Sequence, residues 1–199
     1  MAQPSVVKVL GRAESCYKIL EGSGFVVAPQ KVMTNAHVIA GADSFSVDAG
    51  GKTYTAQVIS YDPEADIAIL DVPGLPAAPL RFAEYTAGTG TAVLVLGYPG
   101  ASAFTASAAR VREVTDLSGP DIYHSGKVTR EVYILMGSFP QAGASGSAIV
   151  DYDGAVLGVY FGADSKDSTT GFALTAAQVV PQLSNVVSTR AADTGQCIG

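Results

Sequence analysis

Apolar side chains in this chain come in short runs, broken at close intervals by glycine, proline and aspartate, and that punctuation limits the fold more than any other feature. Phe45, Val47 and Ala49 alternate with Ser44, Ser46 and Asp48, the period-two pattern of a half-buried strand. Gly50-Gly51 follows and can enter positive φ without steric penalty, as a two-residue hairpin turn requires. The return segment, 52–61, places Tyr54, Ala56 and Val58 on one face. Further short runs lie at 24–27, 67–72, 92–96, 130–135, 147–150, 155–161 and 171–174. Ala28-Pro29-Gln30, Asp62-Pro63, Tyr98-Pro99-Gly100 and Asp151-Tyr152-Asp153-Gly154 separate them. Many short strands with such turns predict an all-β sandwich or barrel. Helix is scarce: Thr175-Ala176-Ala177-Gln178 reads as a capping box opening a short C-terminal helix, which Pro181 kinks or displaces. The Gly/Ser/Ala-rich stretch 97–109 reads as a linker between halves 20–97 and 108–187.

Composition removes several function classes. The net charge is −6, from 12 basic and 18 acidic residues, with no basic cluster, which argues against nucleic-acid binding. Mean hydropathy is +0.28, yet the longest uncharged stretch, 85–109, is interrupted by Gly88, Gly90, Gly97, Pro99 and Gly100. A spanning helix needs about 20 predominantly apolar residues, so no span is expected in this chain. The start, Met1-Ala2-Gln3-Pro4, lacks the basic and apolar regions of a signal peptide. Cys16 and Cys197 are the two cysteines, with neither His37 nor His124 close to them in sequence, so no metal site is expected. They read either as two free buried thiols or, favoured by their flanking positions, as one disulfide clasping the termini. A disulfide implies an oxidising compartment and, without a signal peptide, a domain belonging to a longer exported or membrane-anchored protein.

Three segments carry chemistry. They are Met33-Thr34-Asn35-Ala36-His37-Val38-Ile39, then Asp62-Pro63-Glu64-Ala65-Asp66-Ile67-Ala68-Ile69-Leu70, then Gln141-Ala142-Gly143-Ala144-Ser145-Gly146-Ser147-Ala148. Each alone has an ordinary structural explanation; together they supply a base, an orienting carboxylate and a nucleophile. Serine is a weak nucleophile until an imidazole takes its proton, and the imidazole needs a carboxylate to hold its tautomer. Glycines beside the serine let backbone N–H groups converge on a developing oxyanion. The order His, Asp, Ser differs from the Ser, Asp/Glu, His of α/β-hydrolases, which counts against an esterase of that type.

The block Thr34-Asn35-Ala36-His37-Val38 resembles the T-x-A-H-[VC] box of trypsin-like bacterial serine proteases, and Asp66-Ile67-Ala68-Ile69-Leu70 resembles their D-[IL]-A-[VIL]-[LI] box. The resemblance covers roughly residues 20–175. More narrowly, the chain resembles the periplasmic protease domain of mycobacterial acid-resistance proteases. That likeness rests on Leu96-Gly97-Tyr98-Pro99-Gly100, Ser118-Gly119-Pro120-Asp121-Ile122-Tyr123, Val128-Thr129-Arg130, 158–162, Gly171-Phe172-Ala173-Leu174 and the two flanking cysteines. Proteins of that type carry transmembrane helices before the protease domain, so the resemblance implies tethering in the full-length protein and periplasmic work in stress or acid resistance. It also implies two six-stranded antiparallel β-barrels with the site between them. The chain then divides into an N-terminal segment with Cys16 (1–20), a first barrel with His37 and Asp66 (21–100), a second barrel and helix with Ser145 (101–187), and a tail with Cys197 (188–199).

The resemblance implies a serine endopeptidase acting on protein or peptide substrates without cofactor. Its triad is His37, Asp66 and Ser145, and its oxyanion hole is formed by the amides of Gly143 and Ser145. Phe139, six residues before Ser145, would line the base of the specificity pocket, with Tyr160, Phe161 and Gly162 as one wall; the plainer reading makes these aromatics core. No acidic residue sits at that base, which argues against a Lys or Arg preference. The serine box departs from the usual G-[DN]-S-G-G-P at Ala144, Ser147 and Ala148, and the second functional reading is therefore a protease-fold binding module. His124 lies among loop residues and reads as a solvated surface histidine, with pH sensing as its other role.

Overall fold

A computed structural model of the chain describes residues 2–139 and 142–198; Gln141, at the start of the third chemical segment, lies outside the described residues. The first six strands are β1 (Val6–Ala13), β2 (Lys18–Ala28), β3 (Lys31–Thr34), β4 (Ser44–Ala49), β5 (Lys52–Asp62) and β6 (Ile67–Asp71). They close into a barrel in the order β1-β2-β3-β6-β5-β4. The second six are β7 (Ala92–Gly97), β8 (Thr105–Pro120), β9 (Lys127–Met136), β10 (Ala148–Val150), β11 (Val156–Ala163) and β12 (Thr170–Thr175). They close in the order β10-β11-β12-β9-β8-β7. All these pairings are antiparallel.

Local chemistry accounts for the well-read elements. Gly50 and Gly51 take φ of +58° and +77°, and Ala49 pairs with Lys52 across them, as a primed turn demands. Helix α1 (Ala176–Val179) begins where Thr175 accepts a hydrogen bond from the Gln178 amide. The expected helix then tightens at Pro181 into a 3-10 helix, Val180–Val187, because proline cannot donate to the α-helical ladder.

Two boundaries differ from the sequence reading. β1 is part of the first barrel rather than of a separate segment 1–20: Val7 and Val9 belong to the first-barrel core, and closure needs β1 paired to both β2 and β4. β7 belongs to the second barrel rather than to a first barrel ending at residue 100, since it pairs with β8 and β10. The connection between barrels is therefore 72–91. The stretch 97–109 is not a linker, for β8 starts at Thr105 and pairs back on β7 with Gly97 opposite Thr105. Its Ala and Ser residues are weak strand formers, and the register supplied by β7 and β9 overrides that weakness.

Three apolar clusters result, one inside each barrel and one between them. The third draws Phe25, Met33 and Ile67 from the first barrel and Leu96, Val132, Val159 and Leu174 from the second. Strands at this seam bury both faces. In β3, Val32 points into the barrel while Met33 points to the seam.

The tail returns to the first barrel. Ala192 N donates to Val58 O at 2.8 Å, Gly41 N to Thr194 O at 2.9 Å, and Thr194 Oγ1 to Ala42 O at 2.9 Å. Cys16 and Cys197 form a disulfide, with Cα atoms 6.5 Å apart and a sequence separation of 181. Chain-entropy arithmetic for a loop of that size gives up to roughly 5 kcal/mol of stabilisation. The double substitution Cys16→Ser, Cys197→Ser is therefore expected to lower the urea midpoint substantially. An unchanged midpoint would mean that the tail hydrogen bonds hold the termini without the bridge.

Candidate active site

His37 sits on a 3-10 turn, Ala36–Val38, directly after β3, and Asp66 immediately precedes β6. β3 and β6 are paired, with Thr34 opposite Ala68, so the two boxes meet although they are far apart in sequence. His37 Nδ1 lies 2.8 and 3.0 Å from the two carboxylate oxygens of Asp66, and the His37 backbone N–H donates to Oδ1 at 3.0 Å. Asp66 is 2% exposed. A buried carboxylate is tolerable only when hydrogen-bonded, and here a single residue supplies both its ring and its backbone N–H. The carboxylate selects the Nδ1–H tautomer and leaves Nε2 as a proton acceptor. Asn35 Nδ2 donates to Asp66 O at 2.9 Å and fixes the carboxylate's own backbone.

The serine loop enters from the second barrel and is clamped against β2. Ser23 N donates to Ser145 O at 2.8 Å, Ser23 Oγ donates to Gly143 O at 3.0 Å, and Tyr98 N donates to Ser23 Oγ at 2.8 Å. Thr34 Oγ1 donates to Ser23 O at 2.7 Å. On the other side Gly146 N donates to Tyr160 O, and Tyr160 N to Ser147 O, at 2.8 and 2.9 Å. Two glycines make this possible. Gly143 has φ of +79°, and a Cβ on it would lie 2.4 Å from Gly100 N; Gly146 has φ of +87°, and a Cβ there would lie 2.0 Å from Ser23 O. Among the described residues the amides of Gly143 and Ser145 have no hydrogen-bond acceptor. Sequence reasoning missed Ser23. The available signal was a polar residue set between Gly22 and Gly24 at the start of an apolar run.

Ser145 is half-buried, and its Oγ donates to Phe161 O at 3.3 Å rather than to His37. Ser147, the other hydroxyl of the loop, points away from the cleft. It is 1% exposed, its Oγ has no partner, and a Cβ on Gly97 would strike that Oγ. The departure from glycine at position 147 is thus matched by a glycine opposite it. Ala144, where the family usually has a polar residue, joins the second-barrel core.

The structure places Phe139 and Tyr160 in that same core. Their rings stack with centroids 5.5 Å apart and an interplanar angle of 16°. Together with Val95, Gly97, Ala144 and Ser147 they enclose a void of only about 10 Å³, the room of one water rather than a side chain. Burial pushes the Tyr160 phenol up to about 12, so this region is neutral at ordinary pH. Phe161 and Gly162 are half-buried. Phe161 borders a cleft of about 490 Å³ together with His37, Asp66, Leu20, Ile122 and His124. His124, exposed as expected, stands on the rim of that cleft. Among the described residues no cluster of His, Cys, Asp and Glu could hold a metal ion, and no helix is long and apolar enough to cross a membrane.

Comparison with known proteins agrees with this arrangement. A family model described as a trypsin-like peptidase domain matches residues 22–159. Serine protease Rv3671c of Mycobacterium tuberculosis is 52% identical over 197 residues, which cover 98% of this chain and 49% of that protein. The chain thus spans about half the length of such curated relatives. The crystal structure of the Rv3671c protease in its active form superposes with a TM-score of 0.97 at 51% identity, covering 100% of this chain and 87% of that one. An inactive form superposes with a TM-score of 0.82 at 50% identity, covering 94% and 91%. With the histidine and aspartate boxes joined at the barrel seam and the serine loop clamped beside them, the chain belongs to the trypsin-like peptidase family of serine proteases.

Proposed function

We propose that this domain is an active serine endopeptidase that cleaves protein substrates through an acyl-enzyme, with His37 as general base, Asp66 as its orienting carboxylate and Ser145 as nucleophile. The observation that carries this reading is the pairing of His37 Nδ1 with the buried Asp66 carboxylate at 2.8 Å, in a chain that superposes on a relative's active form. In the reaction Ser145 Oγ leaves the Phe161 carbonyl, gives its proton to His37 Nε2 and attacks the substrate carbonyl carbon. The amides of Gly143 and Ser145 receive the oxyanion, and the imidazolium then protonates the leaving amine. Water repeats the sequence to release the acyl group.

The turn of Ser145 Oγ toward Phe161, with the altered serine box, favours a second reading in which the fold binds peptides without cleaving them. A fluorophosphonate probe separates the two, because only an activated serine reacts readily. Wild-type protein is expected to label at Ser145. Ser145→Ala is expected to abolish labelling and lower turnover by on the order of 10⁶-fold, with His37→Ala nearly as severe. Ser147→Ala is expected to leave labelling intact; loss of labelling there, with Ser145→Ala still reactive, would reassign the nucleophile.

The acyl-side residue of the cleaved bond is proposed to be small or apolar. Phe139 and Tyr160, packed in the second-barrel core around a void of only about 10 Å³, leave no depth for a long side chain beside the serine loop. A basic side chain set against that neutral aromatic surface without a counter-charge would be costly. Cleavage profiling of a peptide library is expected to show that preference, and a dominant Arg or Lys at that position would overturn it.

The domain is further proposed to work outside the cytoplasm, tethered by segments of a longer protein and active under stress such as acid. The disulfide supports an oxidising compartment; the tether and the acid role rest on the resemblance to mycobacterial acid-resistance proteases. The same bridge is proposed to support catalysis. Thr194 accepts from Gly41 N and from Tyr123 Oη, and Tyr123 in turn meets Tyr61 Oη at 2.6 Å. The bridged tail thus ties the β8–β9 turn to the first barrel beside the cleft. Reduction is expected to lower the turnover of protein that is still folded by circular dichroism. Unchanged kinetics in the reduced, folded protein would limit the bridge to stability.

A further inference from the structure

Asp66 aims its carboxylate at His37 from a backbone that few residues with a Cβ adopt: its φ is +56°, in the left-handed region. Such a conformation persists where the surroundings over-determine it. The turn leading into it, 62–66, is tied accordingly. Asp62 Oδ1 accepts from the Glu64 and Ala65 amides at 3.0 and 2.9 Å, and Gln182 Nε2 donates to Asp62 Oδ2 at 2.7 Å. A further tie comes from the other barrel. Arg130, on β9, reaches across the seam so that Nε donates to Glu64 O at 2.6 Å and Nη2 to Pro63 O at 3.3 Å.

Arg130 is 9% exposed. The ion pairs among the described residues are Lys31–Asp71 and His37–Asp66, so the buried guanidinium faces neutral carbonyls. It loses hydration without gaining a carboxylate, a poor exchange if stability alone were at stake. The planar fork is suited instead to holding two successive carbonyls at fixed positions. Those carbonyls belong to the turn that presents Asp66, whereas β9 belongs to the barrel that presents Ser145.

We infer that Arg130 is a positioning residue, which holds the Asp66 turn from the serine-bearing barrel so that the carboxylate stays aimed at His37. The inference rests on the proposed triad. Arg130→Met keeps the apolar stem and removes the fork. It is expected to lower kcat by about 100-fold, the loss that follows a misplacement of about 1 Å, with KM unchanged. The far-downfield proton resonance of the His37 Nδ1–H to Asp66 hydrogen bond is expected to broaden or vanish while the fold still melts cooperatively. Arg130→Lys, which retains one charged donor but not the fork, is expected to recover kcat and the resonance only in part. Ser118→Ala removes the 2.6 Å Ser118–Thr129 bond elsewhere on the same hairpin and is expected to leave both readouts unchanged. Should Arg130→Met not fold, Gln182→Ala loosens the same turn through Asp62 and is expected to weaken both readouts in the same direction. Wild-type kcat, or an intact resonance, in whichever variant folds would overturn the inference. The resonance needs no turnover. Absence of Ser145-dependent hydrolysis in the wild type would sink the protease reading while leaving the test of Arg130 readable.

Discussion

Ser23 is completely buried, and its backbone and side chain together bond to Ser145, Gly143, Tyr98 and Thr34. The remainder of the site is built around that clamp, because it is where the first barrel grips the loop carrying Ser145, the proposed nucleophile. Each such bond contributes about 0.5–1.5 kcal/mol net, but a buried partner left unsatisfied costs about 1–3 kcal/mol. The grip is therefore close to all-or-none, and its geometry is set by neutral donors that salt and moderate pH changes do not weaken. Ser23 supplies the polar fastening that Ala144 cannot.

The geometry of the proposed triad is a property of an interface inside one chain. His37 and Asp66 are fixed to each other within the first barrel through the β3–β6 pairing, so their mutual placement needs little from the second. Ser145 reaches them only through the seam, where Phe25, Met33 and Ile67 pack on Leu96, Val159 and Leu174. Apolar packing is strong but not directional; it brings the barrels together without specifying rotation at the scale catalysis requires. Directional contacts between the barrels, among them Ser23 to the serine loop, Arg130 to the aspartate turn and Tyr61 to Tyr123, add the orientation that packing leaves free.

Strands were legible wherever one face met solvent or a tight turn ended the run, as at β4, Gly50-Gly51 and β5. β1 and β3 went unread. In β1, Val6 belongs to the seam while Val7 and Val9 face the barrel interior, and β3 is a short segment buried on both sides, so neither shows the clean alternation that reveals a strand. The start of β8, 105–109, was read as linker because its residues are Ala, Ser and Thr, whose strand conformation depends on neighbours the local sequence does not name. The histidine and aspartate boxes could be read directly, since their chemistry requires particular residue types at particular positions. The pocket residues could not: Phe139 and Tyr160 are aromatics in either role, and only packing assigns them to the second-barrel core.

By itself the amino-acid sequence determined the all-β class, the hairpin at Gly50-Gly51, the Thr175 cap and the residue types able to act as base, carboxylate and nucleophile. All of these depend on interactions between near neighbours in the chain or on intrinsic side-chain chemistry. The tertiary structure alone decided that β1 closes the first barrel and β7 opens the second. It likewise decided that Ser147 turns inward against Gly97 while Ser145 stays half-exposed with its Oγ on the Phe161 carbonyl, and that Ser23 and Arg130 fasten one barrel to the other. These outcomes join residues separated by up to 181 positions, and the free energy that selects them comes from burial and hydrogen bonding at a seam that exists only once both barrels have formed.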